Sequence, residues 1–218
     1  MWKTICLFCL LLGNLIIFIS AQNVIPPDVK ERIDSLVNNL METEHVPAFG
    51  LSIVKKNGDL LYSAGYGLRD PEKNLNADAD TIFGIGSVTK SFTAIVVVKY
   101  LSETFTSFGE SVLDVPIQIL APDYNFILGD NRQRYAPELC GFRDGFQYNN
   151  GLIGMAGHIV AHMANSTYDE MLSDLLNSIG MSDTTLVKET DDHDNMMHRA
   201  IPYLWKDNQR IRYNSELL

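Results

Sequence analysis

Cysteine is scarce in this sequence, and its placement rules out a disulfide framework. Of three cysteines in 218 residues, Cys6 and Cys9 fall in the N-terminal apolar stretch and Cys140 stands alone. Once that stretch is removed, no internal disulfide can form, so the fold must rest on its core. Nor does Cys140 read as a nucleophile: "PELCGF" is a polar loop with no histidine close in sequence. Positive charge is also in short supply. Lys and Arg number 17 against 27 Asp and Glu, for a formal net charge of −10; this argues against the basic face of a nucleic-acid binder. The N-terminal apolar run, Ile5–Ile19, is short of the roughly 20 residues of a full membrane span. There is no internal repeat and no low-complexity block. What is present, 46% hydrophobic and 20% charged residues, fits a packed globular core.

The first residues read as a secretory signal peptide: Lys3, then the apolar run, then Ser20 and Ala21 and a polar segment. Cleavage after Ala21 would leave residues 22–218 as a secreted, extracellular domain; the alternative is an uncleaved membrane anchor. The tripeptide "NST" at 165–167 is a glycosylation sequon on Asn165, consistent with secretion. Residues 27–44 carry apolar positions at Val29, Ile33, Leu36, Val37 and Leu40, which is helical spacing, with Pro27 and Asp28 as a start signal. Two apolar runs flank "KNGD" within residues 46–70, and Asn57-Gly58 predicts a hairpin there. Residues 71–81 read as a polar loop. Buried helices are expected from about Val88 to Leu101 and from Gly151 to Met163. The β-branched run Ile95–Val98 weakens the first. The second carries small residues, Gly151, Gly154, Ala156 and Gly157, suited to close packing. An amphipathic helix over 167–181 ends at Gly180. Residues 102–147 give little regular signal, and the tail from Asp191 is polar.

The stretch "IFGIGSVTKSFTAIVVV" (82–98) raises the functional question. A phosphate loop is excluded, because Thr89 stands where the second glycine of G-x-x-x-x-G-K-[ST] must let the backbone approach a phosphate. Two readings stay open: Ser87 caps the helix, or Ser87 is a nucleophile with Lys90 as its base. A serine hydroxyl needs a base, and a lysine serves if burial lowers its pKa. A second S-x-x-K, Ser52–Lys55, lies in a strand-like run, where i and i+3 point to opposite faces. Ser87 and Lys90 share a helical face.

"FQYNNGLIGMAG" places Tyr148 and Asn150 as Y-x-N just before the second buried helix. With "SVTK", "GLIGMAGHIV" and "SIGMSDT" following in order, and "VPAFGLSIVKKNGDLLYSAGYGLRD" at the front, the chain resembles the serine β-lactamase-related family over about residues 46–185. That family groups class C β-lactamases, D-alanyl-D-alanine peptidases and related esterases. The resemblance implies an α+β fold of the β-lactamase/transpeptidase type, an antiparallel sheet flanked by helices. It implies that Ser87 is acylated, Lys90 is its base, Tyr148 relays a proton to the leaving group and Asn150 hydrogen-bonds the substrate. The implied substrate is a small-molecule or peptide ester or amide, with no cofactor, no metal and no nucleic acid. Read from the residues alone, Tyr148 is rather a surface tyrosine before a helix and Asn150 its N-cap.

Two departures stand out. No K-T-G or H-x-G follows Asp183, and the sequence reaches "YNSELL" before the family's C-terminal strands, so these are expected to be missing. The segment between Lys90 and Tyr148 is also short. A non-catalytic secreted interaction or regulatory module is therefore the rival expectation. His158 and His162 fall i, i+4, but Ile159 stands where a zinc protease needs glutamate. "DDHDNMMH" (191–198) reads as a solvated acidic loop.

Overall fold

Proline at its first position starts α1 (Pro27–Thr43), with Asp28 in the first turn, as the sequence predicts. The computed structural model describes residues 25–124, 141, 144–187 and 196–213. The expected signal segment, Cys140 and most of "DDHDNMMH" lie outside them. The chain divides into two compact units, residues 1–83 with 189–218, and residues 84–188.

In the first unit, α1 buries Val37, while Leu36 and Leu40 stay exposed at 59% and 50%. Its expected apolar stripe is thus wider than the surface covering it. Strands β1 (Ala48–Val54) and β2 (Leu60–Asp70) pair antiparallel from Ala48↔Gly67 to Val54↔Leu60. The turn is longer than a two-residue loop. The Gly58 N–H donates to the Lys55 carbonyl, the Lys55 N–H to that of Asp59, and Gly58 takes φ +91°. Glycine supplies the left-handed position that closes a longer hairpin turn. Ser52 faces Ser63 across the ladder, 3.2 Å between hydroxyls, while Lys55 pairs with Asp59; this S-x-x-K does not converge. The expected loop at 71–81 contains a third strand, β3 (Leu75–Asn76), giving the order β1-β2-β3. Tyr62, 1% exposed, and Tyr66 share a hydroxyl contact of 2.7 Å, and both donate to Asp34 of α1. The buried phenol is thereby satisfied. The tail forms a hairpin of β4 (Tyr203–Lys206) and β5 (Gln209–Arg212), with Asp207 and Asn208 both at positive φ.

The second unit is helical. A 3-10 turn (Gly86–Val88) leads into α2 (Thr89–Thr104). A 3-10 segment (Thr106–Asp114), the short α3 (Ile117–Leu120), α4 (Asn150–Met163) and α5 (Tyr168–Ser178) follow. The β-branched run is helical because Val96 is buried against Leu172, Leu175 and Leu176 of α5; packing outweighs a propensity deficit of a few tenths of a kcal/mol per residue. A second cluster joins Leu101 to Val112 and Leu120. Ile95 and Val98 remain nearly half exposed, so α2 is less buried than its composition predicts. Of Gly154 and Gly157, only Gly157 is crowded. A Cβ there would lie 2.9 Å from the Tyr168 ring, whereas one at Gly154 would meet nothing within 4 Å. Helix α5 closes on Gly180, φ +79°. The Gly180 N–H reaches the Asn177 carbonyl and the Met181 N–H that of Leu176, a complete Schellman motif. Among the described residues, no helix is long and apolar enough to cross a membrane.

Candidate active site

The turn before α2 fixes Ser87. Gly86 adopts φ +48°, a left-handed geometry that favours glycine, and Ser87 follows on the 3-10 turn. Neither that turn nor α2 has a side-chain cap, so Ser87 is not acting as one. Its Oγ instead accepts two hydrogen bonds, from Lys90 Nζ at 2.9 Å and from the Tyr148 hydroxyl at 2.5 Å. One helical turn separates Ser87 from Lys90, as their spacing requires. Tyr148 comes from 61 residues further along, delivered by the segment that enters α4.

Lys90 Nζ also sits 4.7 Å from the centroid of the Tyr148 ring, within the range of a cation–π contact. The Lys90 ammonium, and after it the Ser87 hydroxyl, hold the Tyr148 phenol below its usual value; desolvation works weakly against them. The expected deep burial of lysine is not found, since Lys90 is half-buried and Ser87 and Tyr148 are exposed.

Asn150 occupies the first position of α4 and is exposed, and its side chain is not hydrogen-bonded to Ser87, Lys90 or Tyr148. The N-cap is its neighbour Asn149, whose side-chain Oδ1 accepts the Leu152 N–H at 3.0 Å. The N-cap assignment for Asn150 is thus displaced by one residue. Behind the site, Thr93 Oγ1 lies 2.6 Å from the Tyr168 hydroxyl, tying α2 to α5 where Gly157 admits the tyrosine ring. The sequence reading missed this pair, as its only signal is the small residue opposite. His162 contacts Asp123 at 3.3 Å, and the His158 ring lies 6.5 Å from that of Tyr168. No group of three or more metal-ligating side chains occurs among the described residues.

A family model described as Beta-lactamase matches residues 33–141. The chain belongs to the beta-lactamase family. The matched span contains Ser87 and Lys90 and stops before Tyr148. Protein flp of Staphylococcus aureus is 31% identical over 85 residues, which is 39% of this chain and 17% of that protein. Esterase EstB of Burkholderia gladioli is 25% identical over 169 residues, covering 78% of this chain and 38% of EstB. An octameric penicillin-binding protein homologue from Pyrococcus abyssi superposes with a TM-score of 0.62 at 21% identity, over 84% of this chain and 50% of that one. A beta-lactamase/D-alanine carboxypeptidase from Pseudomonas syringae gives 0.58 at 17% identity, over 86% and 58%. The fold is accordingly β-lactamase/transpeptidase-like. The chain spans about half the length of these two structures and less of the two curated relatives.

Proposed function

We propose that this is a secreted serine hydrolase-like protein that transfers an acyl group from an ester or amide through an acyl-serine at Ser87. The convergence of Lys90 and Tyr148 on Ser87 Oγ carries the proposal. In the resting arrangement both partners donate to the serine, so one must first lose its proton to act as a base. The depressed phenol is the better placed. As a phenolate held by the Lys90 ammonium, Tyr148 takes the Ser87 proton while Oγ attacks the carbonyl carbon. It then returns that proton to the departing alcohol or amine. Water repeats the sequence on the acyl-serine and releases the acid. Asn150, at the mouth of α4, is the proposed hydrogen-bond partner of the bound substrate. The resemblance to an esterase and to penicillin-binding and β-lactamase structures supports a small ester or amide substrate and leaves its identity open.

The exposure of Ser87 and Tyr148 favours a second reading: a non-catalytic interaction or regulatory module that keeps the same architecture. Hydrolysis of a chromogenic ester and a chromogenic β-lactam, compared between the native chain and Ser87→Ala, separates the two. Turnover that disappears in the variant supports acyl transfer; equal background rates from two folded proteins support the module.

A further inference from the structure

We propose that Asn165 is an N-glycosylation site whose sequon also builds the N-terminus of α5, so that sugar is added only before α5 folds. Asn165-Ser166-Thr167 is the single N-x-S/T tripeptide in the chain, and it fills the turn between α4 and α5. Asn165 is exposed and adopts φ +50°, so its amide reaches solvent. The rest of the sequon is committed elsewhere. Thr167 Oγ1 accepts the Glu170 N–H at 3.2 Å. The Glu170 carboxylate in turn accepts the Thr167 N–H at 2.9 Å and the Ser166 hydroxyl at 2.8 Å. This is a capping box with an added serine contact, and it closes two N-terminal donors of α5.

Sugar transfer needs the same atoms. The Asn165 Nδ2 attacks C1 of a polyprenyl-pyrophosphate-linked oligosaccharide. The N–C1 bond forms, the C1–O bond breaks, and the pyrophosphate leaves with the electron pair. One amide proton passes to a basic group of the transferase, and nothing is oxidised or reduced. The transferase must hold the tripeptide as a separate extended segment and reach the Thr167 hydroxyl. A formed capping box withholds that hydroxyl and pins the backbone on either side. The order follows: transfer first, helix cap second. Helix α4 spans 14 residues, about 21 Å at 1.5 Å per residue, and separates Asn165 from Asn150 and Tyr148 at its other end. A glycan there leaves Ser87 accessible, and the proposal is independent of the chemistry at Ser87.

The test has two stages. The full chain is expressed through a eukaryotic secretory route and its intact mass measured before and after peptide-N-glycosidase treatment. The expected result is loss of one oligosaccharide, kept in Thr167→Ser and absent from Asn165→Gln; an unchanged mass in the native chain overturns the site. The unglycosylated full chain, folded by circular dichroism, is then incubated with detergent-solubilised oligosaccharyltransferase and lipid-linked oligosaccharide beside Leu172→Pro. That substitution breaks α5 and leaves the sequon intact. Transfer to Leu172→Pro alone is expected. Equal transfer to both chains, or transfer to neither, overturns the order.

Discussion

Ser87 Oγ accepts hydrogen bonds from Lys90 and Tyr148 and has no role as a cap, which removes the capping reading and supports the proposed one. Lys90 was legible because i, i+3 spacing puts two side chains on one helical face. Tyr148 was legible only through the resemblance, since no local rule joins residues 61 positions apart. Asn150 was read one residue too far: "YNN" offers two adjacent asparagines, and the extended backbone of Asn149 (φ −140°, ψ 109°) makes it the cap. Three outcomes follow at this scale. If Tyr148 is the base as proposed, acylation of Ser87 should rise with pH through a value below the ordinary phenol range. Tyr148→Phe should abolish that step and slow acylation by about 10²–10⁴-fold. Replacing Lys90 by methionine removes the charge that holds the phenol down, so the pH step should move upward. Stopped-flow acylation by a chromogenic ester between pH 6 and pH 11 (a window chosen to bracket the unperturbed tyrosine pKa of about 10) measures all three.

Two glycines of α4 separate what periodicity can see from what it cannot. Both Gly154 and Gly157 looked like packing residues, yet only Gly157 faces the Tyr168 ring. Which side of a uniformly apolar helix meets its neighbour is set by tertiary contact. Gly157→Ala should destabilise the chain by about 1–3 kcal/mol through overpacking. Gly154→Ala, on an exposed helical position, should stabilise it by about 0.5–1 kcal/mol. Thermal unfolding followed at 222 nm distinguishes them. Helix α5 carries its own pH dependence. The Thr167 N–H and then the Ser166 hydroxyl hold the Glu170 carboxyl below its usual value. A depressed acid stabilises the folded state fully above its unfolded pKa and loses that contribution as pH falls through the folded one. Acid titration of helicity should therefore show a component that Glu170→Ala lacks. The Gly180 stop was legible from sequence, and so was Pro27 as a start. The capping box was present as T-x-x-E and overlooked because the sequon claimed the same threonine.

Among the described residues, both units leave large apolar side chains exposed, such as Leu36 and Leu40 in the first and Ile95 and Val98 in the second. The β1–β2 hairpin and the helix order were legible from turn chemistry and periodicity. The β4–β5 hairpin was not, because its Asp207-Asn208 turn lacks the glycine that usually marks such a site. Ser87, Lys90 and Tyr148 all lie in the helical unit, so their convergence is a property of that unit alone. The beta-lactamase family match spans residues 33–141, and the chain covers 50% of the Pyrococcus abyssi structure. Whether the trio performs acyl transfer is the central claim. Intact-mass spectrometry after incubation with a fluorophosphonate tests it most directly, with Ser87→Ala alongside and circular dichroism confirming that both chains are folded. One adduct on the native chain and none on Ser87→Ala is the predicted result; no adduct on a folded native chain, or an adduct that survives in Ser87→Ala, would contradict it.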